Sequence, residues 1–325
     1  NPLLAPWPGP YGGVPPWDAM RPEHFPGAFD AAISEERTEI EAVVVNGDPP
    51  TFENTFAAME RAGGTLDRVA RMFAVARENI TNAEYQKLER EWQPKLAAHA
   101  DAIVFNPELF RRIEAVYRSL PSNLEPDQIR LVTRVCDHFL RRGAKLDAGG
   151  KARLSEINQD LAARFAEFRA RVLADENTWT VLEAEGDLAG LPSSLVATLK
   201  AAADERGLQG KWAVVNTRSS VDPFLTSSTR RDLREAVWRR FKGRGDNGDA
   251  NDTKSTIAAI VRLRAERATL LGFASHAHWR MSDTMAGDPA TAQAFLRKVW
   301  PRAVAAVRRE VADMQAIADR EDPGT

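Results

Sequence analysis

The feature that most constrains the fold of this chain is the helical spacing of its apolar residues. Between Lys151 and Leu173 they recur at steps of three and four, at Leu154, Ile157, Leu161, Phe165, Phe168 and Val172. Such steps place them on one face of an amphipathic α-helix. Two further stripes are spaced in the same way, one at Ile129, Val132, Cys136 and Phe139, and one at Phe295, Val299, Ala303, Val307, Val311 and Met314. Pro301 lies inside the last stripe and predicts a kink or a break near Trp300.

Proline and glycine mark where these helices begin and end. Proline suits the first helical position, so helix starts are predicted at Asn106-Pro107, Glu125-Pro126 and Asp288-Pro289. Glycine readily takes the left-handed conformation that closes a helix, so ends are predicted near residues 63–64, 143, 207 and 272.

Two short stretches read as β-strand, residues 178–182 (TWTVL) and 212–216 (WAVVN). Both are rich in β-branched and aromatic residues, and a predicted helix over 192–206 separates them. Two strands are too few for a parallel dinucleotide-binding sheet. The predicted fold class is therefore all-α, mainly helical, with a small two-stranded β element near 178–182 and 212–216.

Residues 1–26 differ in composition from the rest of the chain. They hold eight of the 19 prolines, interleaved with Trp7, Tyr11, Trp17 and Phe25. Proline removes backbone donors and favours an extended arm, and the aromatic residues favour packing of that arm on the body over a free leader. The predicted organisation is an arm over 1–26 and a helical body over 27–325, which a boundary near 174–222 could subdivide.

The charge balance excludes several classes of partner. The formal net charge is -2 and the isoelectric point is about 6.3, so the chain has no global field that attracts nucleic acid or anionic lipid. No run approaches the roughly 20 apolar residues of a membrane span. The segment Arg230 to Arg244 is basic, but its complete apolar stripe favours a solvated helix face over a phosphate-binding one. We therefore expect no nucleic-acid and no membrane partner.

Motifs for metal or phosphate chemistry are missing or out of context. The five histidines, His24, His99, His138, His276 and His278, form no HExxH helix. His276 and His278 are two apart, so on a helix they point away from each other. Residues 243–248 (GRGDNG) match GxGxxG but follow a predicted helix rather than a strand, so a flexible interhelical loop is expected. Cys136, on an apolar stripe, is expected to be buried and inert. No catalytic or metal residue is assigned in this chain, and no substrate-binding residue can be named.

Several segments nevertheless resemble one peptidase family. Residues 1–4 (NPLL), 12–18 (GGVPPWD) and 24–29 (HFPGAF) look like the start of bacterial peptidyl-dipeptidases, the dipeptidyl carboxypeptidases of the thimet oligopeptidase and neurolysin family. Residues 49–55 (PPTFENT) with 59–63 (MERAG) are similar to its PxFxNT-x-ALExSG segment, and 247–253 (NGDANDT) to its NDxNDT stretch. Residues 267–273 (RATLLGF), then His276-Ala277 and Met285-Ala286, resemble its RAxLLGFxxHA…MA segment.

The resemblance implies a largely helical, bilobed zinc peptidase that cleaves short peptides in a channel between its lobes. In the family, zinc is held by the two His of HExxH and a later Glu, all in the C-terminal half, so no ligand is carried over to this chain. Together with a start at Asn1 and a stop after residues 322–325 (DPGT), this predicts the N-terminal half of a longer enzyme. The implied partners are short peptides and the chain's own C-terminal catalytic half, which would supply the zinc.

A second class of function fits the same sequence. A non-catalytic helical module that binds peptides or a partner protein would need the same helices and the same groove. For the compartment, the resemblance implies the cytoplasm, with the periplasm as the alternative if a signal was removed before Asn1.

Overall fold

The computed structural model describes residues 1–10, 13–80 and 82–321. Its α-helices are α1 (His24–Val44), α2 (Ala58–Arg61), α3 (Gly64–Asn79), α4 (Ala83–Val104), α5 (Pro107–Ser119), α6 (Pro126–Arg141), α7 (Ala148–Glu176), α8 (Ser193–Asp204), α9 (Arg218–Ser227), α10 (Arg231–Lys242), α11 (Lys254–Leu270), α12 (His276–Met281) and α13 (Pro289–Glu321). A π-helix, Phe52–Ala57, precedes α2, and short 3-10 helices cover Trp17–Ala19 and Glu185–Leu188.

The predicted fold class is confirmed, because the described chain is mainly helical with one two-stranded sheet. The strands are β1 (Trp179–Leu182) and β2 (Trp212–Val215). They pair antiparallel, with Trp179 opposite Val215 and Leu182 opposite Trp212. As predicted, a helix (α8) lies between them in the chain.

The predicted helix boundaries are also confirmed. α5, α6 and α13 begin at Pro107, Pro126 and Pro289. The side chain of Asn106 caps α5 by accepting hydrogen bonds from the backbone N–H groups of Glu108 and Leu109, each at 3.0 Å. The predicted stop glycines at 63, 143, 207 and 272 all have positive φ, between 71° and 92°. These signals work because capping is local and needs only the neighbouring backbone.

Of the kink or break predicted near Trp300, the break is wrong, since α13 runs without interruption from Pro289 to Glu321; the kink stays a prediction. Proline lacks an N–H and therefore forfeits one bond of the helix ladder, that to the carbonyl of Arg297. Pro301 lies on an exposed stretch, where water can satisfy that carbonyl. α4 and α9 likewise contain proline, at Pro94 and Pro223.

Buried apolar residues form three clusters. The first joins the N-terminal arm to α1, α3 and α4, and contains Leu3, Phe25, Phe29, Phe73 and Trp92. Within it the rings of Phe29 and Trp92 stack with centroids 5.0 Å apart. The second lies among α1, the π-helix, α5 and α6 and includes Phe56, Ile113, Val132, Cys136 and Phe139. The third belongs to the sheet region and includes Leu182, Leu199, Val214, Phe224 and Val237.

The chain divides into two compact units, Asn1–Leu263 and Arg264–Thr325. The first unit contains the three clusters and the sheet. The second contains the end of α11, then α12 and α13. The sequence-based division into an arm, a body and a boundary near 174–222 stays a prediction.

Replacing Leu3 by alanine is expected to lower the free energy of unfolding by about 2–4 kcal/mol, because it opens a cavity in the first cluster. Leu3 has no exposed surface, although it is only the third residue of the sequence given. Urea denaturation followed by circular dichroism measures the effect. Val14→Ala, at a side chain that is 54% exposed, is the control and should change stability by about 0.5 kcal/mol or less. Equal midpoints for both variants would mean that Leu3 does not hold the arm to the body.

Candidate functional site

The histidines lie in different parts of the fold. His99 of α4 is buried, with its Nε2 2.7 Å from the Oε2 of Glu36 on α1. His138 lies on α6, and His276 and His278 lie on α12. Within residues 1–10, 13–80 and 82–321, no three His, Cys, Asp or Glu side chains are grouped so that they could hold a metal ion. The metal-ligating side chains among these residues therefore do not fit a zinc site.

The glycine-rich loop 243–248 lies between α10 and α11, the interhelical position that the sequence predicts. Hydrogen-bond donors of this loop bind a carboxylate of the protein itself, that of Asp175. The backbone N–H of Gly245 donates to Oδ2 of Asp175 at 2.6 Å, and the side-chain amide of Asn247 donates to the same oxygen at 3.0 Å. The amide of Asn251 donates to Oδ1 of Asp175 at 3.1 Å. A loop whose donors already meet a buried carboxylate has no cradle left for phosphate.

The same contacts fix the conformation of this loop. Asp175, in the last turn of α7, is 2% exposed. Gly245 has a φ of 72°, and a Cβ there would lie 2.8 Å from the Oγ1 of Thr253. That hydroxyl donates to the Gly245 carbonyl at 2.9 Å. A residue about 70 positions upstream thus supplies the hydrogen-bond acceptor for this loop, and the flexibility expected from the sequence stays a prediction.

Segment 49–55 is organised in a similar way. The Thr51 hydroxyl accepts from the Asn54 backbone N–H at 3.1 Å, and the Asn54 side chain accepts from the Thr51 N–H at 2.8 Å. This capping box starts the π-helix. The buried guanidinium of Arg112 on α5 donates to Oδ1 of Asn54 at 3.0 Å and to the carbonyls of Asn46 at 2.7 Å and Asp48 at 3.2 Å. The sequence carries the capping-box signal, but nothing in it connects Arg112 with this loop.

Three of the seven basic side chains in segment 230–244 are held in ion pairs. Arg230 pairs with Asp187 at 2.7 Å, Arg239 with Glu235 at 2.7 Å, and Arg244 with Glu176 at 2.7 Å. Guanidinium groups held by carboxylates offer a weak surface to phosphates. These pairs favour the solvated helix face over the nucleic-acid interpretation.

The first unit has open clefts. One of about 440 Å³ lies beside the π-helix and is lined by polar side chains, Glu39, Asn46, Glu53, Asn54 and Arg61, together with small apolar ones. Another of about 320 Å³ lies between α1 and α4 and is lined by Arg37, Trp92, Lys95 and His99, among others. Both present mixed charges, without a convergent set of catalytic groups.

Within the second unit, His276 is surrounded by cations. Burial lowers the pKa of its imidazole to about 4, and three nearby guanidinium groups add to the effect. These belong to Arg264, Arg267 and Arg280. Arg267 also lies over the ring of Trp279, 4.5 Å from its centroid.

We expect NMR titration to give His276 a pKa of about 4, well below its ordinary value of 6.5. Between those values the unfolded chain binds a proton that the folded chain does not, so stability should fall as the pH is lowered through this window. The variant Arg280→Gln removes one positive charge and should raise the pKa of His276. A midpoint near 6.5 in the unsubstituted protein would contradict the expectation.

The apolar stripe of α13 is exposed. Phe295 is 66% exposed and Trp300 68%, and the stripe continues with Val307, Val311 and Met314, all exposed. The helix that this spacing predicts is confirmed, and its apolar side chains are exposed. Such a face on a solvent-facing helix is typical of an interaction surface.

Comparison with known proteins shows that this helical chain is similar to a class of peptidases. Residues 224–324, from the end of α9 to α13, match the model of Peptidase family M3. This confirms the resemblance drawn from the sequence. Over its whole length the chain is 35% identical to the dipeptidyl carboxypeptidase of Escherichia coli (strain K12) and 34% identical to that of Salmonella typhimurium. It is 27% identical to the oligopeptidase A of Escherichia coli (strain K12) over 99% of its length.

The chain spans about half the length of these curated relatives. It covers 48% of each dipeptidyl carboxypeptidase and 47% of the oligopeptidase A. No helix among the described residues is both long enough and apolar enough to cross a membrane.

Proposed function

We propose that this chain is the N-terminal half of a zinc-dependent peptidyl-dipeptidase that releases C-terminal dipeptides from short peptides. The observation that carries the proposal is the alignment of the whole chain with about half of a dipeptidyl carboxypeptidase. Peptidases of family M3 are in general zinc-dependent, and the described residues of this chain do not fit a zinc site. In this proposal the other half supplies the metal and the groups that act on the scissile bond.

In this proposal the chain contributes one wall of a channel. Helices fixed by three buried clusters make a stiff wall, which admits extended peptides and excludes folded proteins. A wall that closes on the peptide also removes water and so strengthens the electrostatic interactions at the reacting bond. The residues of this chain would bind and orient the peptide without taking part in proton transfer.

The coding sequence that follows the codon for Thr325 gives the first test. An HExxH motif followed by a Glu-bearing helix supports the proposal, and a stop codon directly after Thr325 contradicts it. At the bench, this chain alone should hold no stoichiometric zinc and release no dipeptide from an N-terminally blocked peptide. Mixed with the polypeptide encoded after it, it should yield both zinc and turnover, and a chelator should abolish the turnover. Stoichiometric zinc with turnover in this chain alone would overturn the proposal.

The second candidate is a non-catalytic module that binds peptides or a partner protein, and the exposed apolar face of α13 favours it. Such a module would bind peptides as this chain alone, without turnover and with no need of a second polypeptide. Calorimetric titration of this chain with unfolded peptides separates the two functions. The compartment, cytoplasm or periplasm, stays a prediction.

A further inference from the structure

The apolar stripe of α13 covers about half of the helix circumference. At 100° per residue, Phe295, Val299, Val307, Val311 and Met314 share one side with Leu296, Trp300 and Ile317. All eight side chains are exposed, by 46% to 68%. From residue 295 to residue 317 the stripe is about 33 Å long at 1.5 Å per residue.

An exposure of this extent is uncommon for a surface that stays in water. Apolar patches larger than a few hundred Å² mark interaction sites in most proteins, and burying apolar area is favourable in proportion to that area. A stripe of phenylalanine, tryptophan, valine, methionine and isoleucine at helical spacing is suited to a groove between other helices. The surface therefore needs a partner that is itself apolar and extended.

The uneven charge along α13 specifies the orientation in which that partner binds. Residues 289–309 carry five basic side chains and no acidic one: Arg297, Lys298, Arg302, Arg308 and Arg309. Residues 310–321 carry four acidic side chains and one basic one: Glu310, Asp313, Asp319, Glu321 and Arg320. At 100° per residue, Arg297 and Arg302 flank the stripe, whereas Glu310 and Asp313 lie on it. A complementary surface would therefore have carboxylates opposite Arg297 and Arg302 and a cation opposite Glu310 and Asp313.

We propose that this stripe of α13 is the docking surface for the C-terminal half of the peptidase. This docking inference rests on the proposed function. The relatives have about as much chain outside the matched region as inside it, so a partner of sufficient size exists in that class of protein. The partner binds through an apolar groove that has carboxylates opposite Arg297 and Arg302 and a cation opposite Glu310 and Asp313.

A second copy of this chain is the competing occupant. Two α13 helices packed antiparallel would also place the basic part of each against the acidic part of the other. The length of the relatives favours the C-terminal half as the occupant, because the matched region accounts for only about half of their chain. The two occupants predict different species in a mixture, so one experiment separates them.

The test measures binding of the polypeptide encoded after this chain, by sedimentation or calorimetry at physiological salt. If the coding sequence is continuous, a protease site inserted after Thr325 generates the two parts from the folded protein. Val307→Asp places a charge in the middle of the stripe. Its control is Ala305→Asp, which places the same charge two residues away on the opposite face of the same exposed helix.

We expect Val307→Asp to weaken the binding of the two parts at least about tenfold, and Ala305→Asp to change it less than about threefold. Circular dichroism should show the same helix content in both variants, since both positions are exposed in this chain. Equal binding by both variants would overturn the docking surface. A homodimer of this chain that persists when the C-terminal polypeptide is in excess would also overturn the docking surface.

Failure of this inference can be told from failure of the proposed function. If the polypeptide after this chain brings zinc and dipeptide release while Val307→Asp binds it normally, only the docking surface is wrong. If no such polypeptide is encoded, or if it brings no zinc, the proposed function fails and the docking surface fails with it.

Discussion

Replacing Asp175 by alanine should lower the free energy of unfolding by about 3–5 kcal/mol, because it leaves three hydrogen-bond donors without an acceptor. These are the backbone N–H of Gly245 and the side-chain amides of Asn247 and Asn251. A buried donor that loses its partner costs about 1–3 kcal/mol, and the donors of one cluster do not add fully. Urea denaturation measures the loss, and amide hydrogen exchange should show faster exchange over residues 245–253.

Two further variants sharpen this prediction. Asp175→Asn keeps one acceptor oxygen but turns the other into a donor that faces donors, so it should recover less than half of the lost stability. The control is Asp246→Ala in the same loop, where the carboxylate is 68% exposed and pairs with Lys254. An exposed pair contributes about 0–1 kcal/mol, so the control should stay close to the unsubstituted protein. Similar losses in Asp175→Ala and Asp246→Ala would show that the Asp175 contacts do not organise the loop.

The second large effect is expected for Arg112→Met, which should cost about 2–4 kcal/mol of stability. The substitution keeps much of the aliphatic side chain but removes the donors to Asn46, Asp48 and Asn54. Arg112 is 3% exposed, so water cannot replace those donors without opening the structure. Hydrogen exchange should then rise over the segment from Asn46 to Thr55.

The neighbouring arginine offers a matched control for Arg112. Arg111 lies one position earlier on α5 and forms an ion pair with Glu108 at 2.8 Å, with 67% of its side chain exposed. Arg111→Met should therefore change stability by about 0.5 kcal/mol or less. Arg112→Lys should recover only part of the loss, because an ammonium group cannot reproduce the fork of a guanidinium. A loss from Arg111→Met as large as that from Arg112→Met would refute the bridging role.

Both variants act on segments that resemble the peptidase family. Residues 49–55 and 247–253 resemble segments of the family, and in the structure each is held by one buried charged side chain from a distant helix. The contacts show a structural role for these segments. In this chain, the resemblance therefore falls on segments that the structure uses to hold helices and loops together.

Local signals determined most of the secondary structure. The apolar steps along α6 and α7, proline at the first position of α5, α6 and α13, and left-handed glycine after a helix each act within a few residues. The sequence alone therefore predicted the mainly helical fold class and the small β element, as well as the family to which the chain is similar. It named no site residue.

Tertiary structure decided what depends on residues far apart in the chain. It brought Asp175 to the loop at Gly245 and Arg112 to the π-helix at Asn54, pairings that local spacing cannot encode. It also decided which apolar stripes are covered: Leu154 and Ile157 of α7 are buried, whereas Phe295 and Val307 of α13 are exposed. Spacing specifies that a helix has an apolar face, but only the packing of distant elements determines whether that face is buried.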